Sequence, residues 1–288
     1  AVRGIAVLVG FPEYADDKIY NSCAVFADGE LLGSYRKHLL PNYRVFDEVR
    51  YFTAGTEPAV FRLGDVRIGM VICEDAWQPG PIAASRRAGA ECIISINGSP
   101  FDVDAQRRRE ARLHSRVDES GVPLVYLNMV GGQDELVFDG GSMAIDETGA
   151  VVHRMPLFEE ALETVTLRRD QDGSPPRFVG GRLARQPDGI AEIYAALVLG
   201  TRDYVDKHGF PGIVLGLSGG IDSALVLAVA VDALGADRVQ AVMMPSRYTA
   251  DMSLEDAREQ AGLLGIGYDV ISIEPIYEAT IAALAAQF

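Results

Sequence analysis

Cys73 stands where an apolar run, Val66 to Ile72, gives way to the polar stretch Glu74-Asp75. A thiol at the mouth of a buried strand is both held and reachable. It becomes a nucleophile once a neighbouring cation or base lowers its pKa. The position also reads as a small core side chain, as Cys23 and Cys92 do. No histidine pairs with it by pattern, since His38, His114, His153 and His208 are scattered. Upstream, Tyr35-Arg36-Lys37 ends another strand-like run, and a lysine there offers an ammonium to a thiolate or an oxyanion. Alone, Lys37 also reads as an ordinary solvated lysine.

A different chemistry belongs to Leu217-Ser218-Gly219-Gly220-Ile221-Asp222-Ser223, set between an apolar strand and a helix. Glycines let the backbone approach a ligand closely, and the helix start offers unpaired N–H groups with a positive dipole end. That environment suits a phosphate. The pattern lacks the lysine of a Walker loop and is not GxGxxG. It resembles the pyrophosphate loop of enzymes that cleave ATP between its α and β phosphates. The resemblance implies that Ser218, Gly219, Gly220 and Ser223 wrap pyrophosphate and that Asp222 holds Mg²⁺. The plainer alternative is a glycine-rich turn with Ser223 as a helix cap.

The elements that must position these groups fall into two rhythms. Up to about Met155, short β-rich runs dominate, among them Ile5–Val9, Ser22–Phe26, Val66–Cys73, Cys92–Ile96, Leu124–Asn128 and Ser142–Ile145. Pro79–Ala90 and the Arg-rich stretch Ala105–Ser120 read as helices between them. From Gly189 onward, helices and apolar strands alternate at the period of βαβ units, which predicts a parallel doubly wound sheet. The pattern predicts an α/β chain of two domains, 1–160 and 188–288, joined by a linker over 161–187 rich in charge, Pro and Gly.

Composition narrows the partners. In 288 residues, 41 acidic against 26 basic side chains leave a net charge of −15, which disfavours a nucleic-acid groove. Three cysteines without paired spacing make a poor disulfide framework and suit a reducing, cytoplasmic setting. No apolar run reaches membrane-spanning length. Alanine stands first and the chain opens directly into the strand-like Gly4–Gly10, so it reads as an internal segment of a longer protein.

Longer stretches sharpen this. Leu40–Glu48, Cys73–Trp77, Asn97–Phe101 and Gly131–Glu135 look like the nitrilase-type glutaminase domain of glutamine-dependent NAD+ synthetases. Gly209–Ala224 and Met243–Thr249 are similar to the ATP-binding half of the same family. The resemblance implies a nitrilase-like αββα sandwich followed by a Rossmann-like ATP-pyrophosphatase sheet. It implies Cys73 as nucleophile toward glutamine, with Lys37 and the backbone N–H of Glu74 on the oxyanion. Glu48 would assist the water or position the lysine, although it also reads as a solvated carboxylate. Tyr43, Trp77, Ser99 and Arg109 would shape the pocket and grip the substrate, although Arg109 also reads as part of a solvated face. Ser246 and Arg247 would contact the nucleotide, the latter also reading as a surface arginine.

The implied substrates are glutamine, ATP with Mg²⁺, and nicotinic acid adenine dinucleotide. Ammonia would pass inside the protein, which suits a homo-oligomer. The family's general-base glutamate belongs to a segment before Gly4–Gly10, and Glu13 is not assigned to that role. Position 105 is Ala where relatives are expected to carry a basic residue. On its own, the chain is expected to complete neither reaction. Two other readings stand beside this one: an ATP-pyrophosphatase amidotransferase with another acceptor, and a non-catalytic ATP-binding module.

Overall fold

The computed structural model describes residues 3–287 and is mixed α/β. The chain divides into two compact units, one running to Val130 and resuming over Phe138–Gly189, the other formed by Gly131–Val137 and the residues from Ile190.

In the first unit β1 (Ala6–Ala15), β2 (Lys18–Ala27) and β3 (Glu30–Arg36) make an antiparallel sheet in that order. A six-stranded mixed sheet is built from β4 (Ala59–Leu63), β5 (Val66–Ile72), β6 (Cys92–Asn97), β7 (Leu124–Asn128), β10 (Met143–Ile145) and β11 (Val151–Arg154). Between β7 and β10 lies a hairpin, β8 (Val130–Gln133) and β9 (Leu136–Asp139). The parallel members β5, β6 and β7 form the middle, as their near-continuous apolar sequences require.

Both faces of the six-stranded sheet are covered. On one, Cys23, Val25 and Tyr35 of the antiparallel sheet meet Ile68, Met70, Ile72 and Cys92. On the other, α1 (Pro81–Arg87) and α2 (Ala105–Ser120) bury Ile82, Leu113 and Val117 against Val71, Ile93 and Leu124. The described layers are therefore helix, sheet, sheet. The outer face of β1 leaves Val7, Val9 and Phe11 exposed.

Residues 161–187, which read as a linker, are tied into this unit. They hold two short strands, β12 (Thr166–Arg168) and β13 (Arg177–Val179), whose Leu167 and Phe178 pack on the inter-sheet core. Arg169 pairs with Glu91 at 2.8 Å, which anchors the hairpin. The first unit accordingly runs to Gly189 rather than stopping near residue 160.

Apart from Gly131–Val137, the second unit is built from α3 (Gly189–Lys207), β14 (Ile213–Gly216), α4 (Ile221–Leu234), β15 (Val239–Met243), α5 (Asp251–Leu264), β16 (Gly267–Val270) and α6 (Glu274–Leu284). The strands pair in parallel in the order β14-β15-β16. With strands stepping one way, both crossover helices fall on one face, where Leu227, Ala230, Ala257 and Ala261 share a core with Leu217 and Ala241. The helix α6 was not anticipated from the sequence.

Candidate active site and phosphate loop

Cys73 begins a short 3₁₀ turn, Cys73–Ala76, at the C-terminal end of β5. Its φ is 46°, a left-handed conformation uncommon for a residue with a Cβ, and such strain concentrates at functional positions. The turn is held by Asp75, whose carboxylate is fully buried. Oδ2 accepts from Tyr35 OH at 2.8 Å and from the Ile72 N–H at 3.1 Å. Oδ1 accepts from the N–H groups of His38 at 3.2 Å and Leu39 at 2.8 Å. One carboxylate thereby fastens the Cys73 turn to the segment carrying Lys37. Burial nevertheless pushes the Asp75 pKa up, against the pull of these donors.

Lys37 follows β3 directly, is 1% exposed, and its Nζ lies 2.6 Å from Glu48 Oε1. A buried ammonium needs such a partner, because desolvation without one is costly. Burial pushes the Cys73 thiol up while the Lys37 charge pulls it down, so the two sit within electrostatic reach. Glu48 and Lys37 are thus brought together with Cys73. Tyr43 OH donates to Glu74 Oε2 at 2.7 Å, and Gln78 Nε2 donates to Glu74 Oε1 at 3.2 Å. Tyr43, Glu74 and Gln78 line a pocket of about 500 Å³ together with Asn42 and Val49. Trp77 ends the turn, its backbone N–H donating to the Glu74 carbonyl, and is not among the pocket's lining residues.

Ser99 Oγ lies 3.6 Å from Cys73 Sγ and 2.8 Å from Tyr126 OH. Its backbone is clamped by Asn128, whose Oδ1 accepts from the Ser99 N–H at 3.0 Å and whose Nδ2 donates to the Ser99 carbonyl at 3.3 Å. Arg109 is corrected in role. Neither solvated nor free to grip a substrate, it is 1% exposed and bidentate to Asp139 at 2.6 and 2.7 Å, and also donates to the Ser99 carbonyl at 3.1 Å. Burial alone would lower its pKa, but the Asp139 carboxylate more than offsets this. Asp75, Tyr126, Asn128 and Asp139 were not singled out from the sequence. Every one acts through partners distant in the chain, and only Asp75 carried a signal, its place two residues after Cys73.

In the second unit, Ser218 to Ser223 form a compact loop at the start of α4. The Ser223 hydroxyl donates to the Gly220 carbonyl at 2.9 Å and accepts from the Ser218 N–H at 3.2 Å. Gly219 has φ +78°, and a Cβ there would come 2.3 Å from the Ser253 carbonyl oxygen, so only glycine fits. Asp222 is exposed in the first turn of α4 and its carboxylate makes no hydrogen bond or ion pair among the described residues. One open carboxylate beside a phosphate-sized loop fits Mg²⁺, which takes one or two carboxylates plus phosphate oxygens and water. Ser246 donates its N–H to Thr249 Oγ1 at 3.0 Å. Arg247 is not presented to the loop as an unpaired cation: its guanidinium pairs with Glu274 and with Glu278 of α6.

Comparison with known proteins places both halves. Residues 2–174 match the Carbon-nitrogen hydrolase family and residues 193–287 match NAD synthase. Glutamine-dependent NAD(+) synthetases are similar to the chain throughout. That of Acinetobacter baylyi is 44% identical over 284 residues, covering 98% of this chain and 52% of the relative. That of Aquifex aeolicus is 44% identical over 303 residues, covering 96% and 53%. The solved glutamine-dependent NAD+ synthetase of Acinetobacter baumannii, in complex with ADP, superposes with TM-score 0.94 at 41% identity, covering 99% of this chain and 54% of that one. The Cytophaga hutchinsonii structure shares the fold, with TM-score 0.81 at 19% identity over 99% of this chain and 55% of that one. The chain spans about half the length of the curated relatives it matches.

Proposed function

Because the chain belongs to the carbon-nitrogen hydrolase family and carries an NAD synthase segment behind it, we propose that it is the glutaminase and nucleotide-binding part of a glutamine-dependent NAD+ synthetase. The observation that carries this is the Lys37–Glu48 ion pair, Lys37 buried, within electrostatic reach of a strained Cys73, in a chain that also bears the Ser218–Ser223 loop.

The Cys73 thiolate attacks the side-chain amide carbon of glutamine. Lys37 and the backbone N–H of Glu74 take the charge that develops on the carbonyl oxygen. As the intermediate collapses the nitrogen takes up the proton that the Cys73 thiol gave up, the C–N bond breaks, ammonia leaves, and a γ-glutamyl thioester remains on sulfur. Water then cleaves it, releasing glutamate and returning the thiol. Glu48 holds the lysine in place. Tyr43 and Glu74 shape the approach, and Ser99 lies close enough to contact substrate.

In the second unit the Ser218–Ser223 loop takes the pyrophosphate of ATP, and Asp222 would hold Mg²⁺. The metal neutralises phosphate charge when bound. Adenylation of the carboxylate of nicotinic acid adenine dinucleotide by ATP would release pyrophosphate, and attack of ammonia on the acyl adenylate would expel AMP and give the amide, NAD+. Three buried, unpaired cysteines suit a reducing, cytoplasmic setting.

The test is NAD+ formation by the full-length protein from nicotinic acid adenine dinucleotide, ATP and Mg²⁺, comparing glutamine with ammonium. Cys73→Ala should abolish the glutamine-driven reaction and leave the ammonium-driven one largely intact. Loss of both would make Cys73 structural. Asp222→Asn should slow both, and unchanged turnover would remove Asp222 from the site.

A further inference from the structure

The ring of Tyr126 is fully buried on β7, and Ser99 is the only hydrogen-bond partner of its hydroxyl among the described residues. Ser99 Oγ in turn reaches Cys73 Sγ. Three groups therefore stand in line: phenol, alcohol, sulfur. A serine hydroxyl has one proton and two lone pairs, so it can either donate to the sulfur or accept from it. Donation favours the thiolate, and acceptance favours the neutral thiol.

Which of these occurs depends on what lies behind Ser99. Burial favours the protonated Tyr126 phenol, which therefore has a proton to give, and Ser99 Oγ is the hydroxyl's one hydrogen-bond partner among the described residues. Once Ser99 Oγ accepts the Tyr126 proton, its own proton is free to point at Cys73. We infer that Tyr126 is a positioning residue that fixes the direction of the Ser99 hydroxyl and so favours the anionic form of Cys73. The inference rests on the reading of Cys73 as a nucleophile.

Other groups act on the same sulfur. Lys37 stabilises its charge from the end of β3, while Glu48 and Glu74 oppose it, and Tyr43, Arg109 and Tyr126 also lie within electrostatic reach. A phenylalanine at 126 leaves all the charged groups in place. It removes one hydroxyl and keeps the ring that packs the core.

The experiment is alkylation of the chain by iodoacetamide across pH, with Cys73 followed by peptide mass spectrometry. Cys23 and Cys92 serve as internal controls, because burial pushes their thiols up to about 11 and about 12. Tyr126→Phe should raise the midpoint of Cys73 labelling by about one pH unit, slowing labelling near neutrality about tenfold. Ser99→Ala should shift the midpoint the same way, Ser99→Thr should retain the wild-type value, and Tyr126→Phe should add nothing in the Ser99→Ala background.

An unmoved midpoint in Tyr126→Phe, whatever its melting temperature, overturns the inference. So does an equal further shift in the Ser99→Ala background, which would show that Tyr126 acts by another route. Wild-type Cys73 reacting no faster than Cys92 at every pH would instead remove the nucleophile reading itself.

Discussion

Asp75 is the residue on which the geometry of the candidate site turns. Four donors converge on its carboxylate, two on each oxygen, from Tyr35, Ile72, His38 and Leu39. Asparagine preserves the shape but turns two acceptor lone pairs into donors, leaving buried N–H groups facing N–H. Asp75→Asn should cost about 1–3 kcal/mol in stability. It should also slow glutamine-dependent turnover by up to about a hundredfold, because a small displacement of a reacting atom is enough for that. Thermal melts and steady-state kinetics of the full-length protein check both, and wild-type turnover in a folded variant would show that Asp75 positions nothing. Cys73 was legible in sequence, since a strand ended at it and a polar turn began. Lys37 was legible for the same reason. The environment of Arg109 was not: Arg107, Arg108 and Arg112 surround it in sequence, and the carboxylate that buries it stands thirty positions later, at Asp139.

At the scale of elements, periodicity served well where it was long. The helix over Ala105–Ser120 was expected with the bounds that α2 has, and the opening helix of the second unit agrees with α3. It failed where structure is short and charged. β12 and β13 are three residues each, with one inward apolar side chain apiece, so no local pattern marks them. Their anchor is Glu91. Burial would raise the Glu91 pKa, but Arg169 and Arg67 bring it down to about 2. A carboxylate depressed in the folded state contributes stability above its ordinary value of 4.5. That contribution fades as pH falls toward about 2. Glu91→Gln should therefore flatten the acid limb of a stability–pH curve between those limits, and an unchanged limb would remove the pair as its cause. The phosphate loop gives a second prediction. At Gly219 an added Cβ meets the Ser253 carbonyl on a backbone of positive φ, so Gly219→Ala must displace the loop. The rise in melting temperature on adding ATP and Mg²⁺ should be lost in that variant.

Among the described residues the core falls into three clusters, two on opposite faces of the six-stranded sheet in the first unit and one under the parallel sheet of the second. Leu113→Ala and Leu227→Ala each empty a fully buried leucine site and should each cost about 2–5 kcal/mol. Hydrogen exchange should report faster opening of β5 to β7 in the first variant and of β14 and β15 in the second. The change of rhythm near the middle of the sequence announced this division. The second unit resumes at Ile190, beside the expected 188, while 161–187 packs with the first unit, because a charged, proline-bearing stretch looks like a tether whether or not two of its side chains are packed.

The candidate site also has a consequence in time. Its parts come from the end of β3, the end of β5, the loop after β6, β7 and the end of β9, so its closing ion pair waits for Asp139. No early fragment emerging from a ribosome holds all of them, and contacts between distant segments form slowly. A chain still folding therefore has Cys73 without the neighbours that surround it in the folded state, and the candidate site is complete only late in maturation.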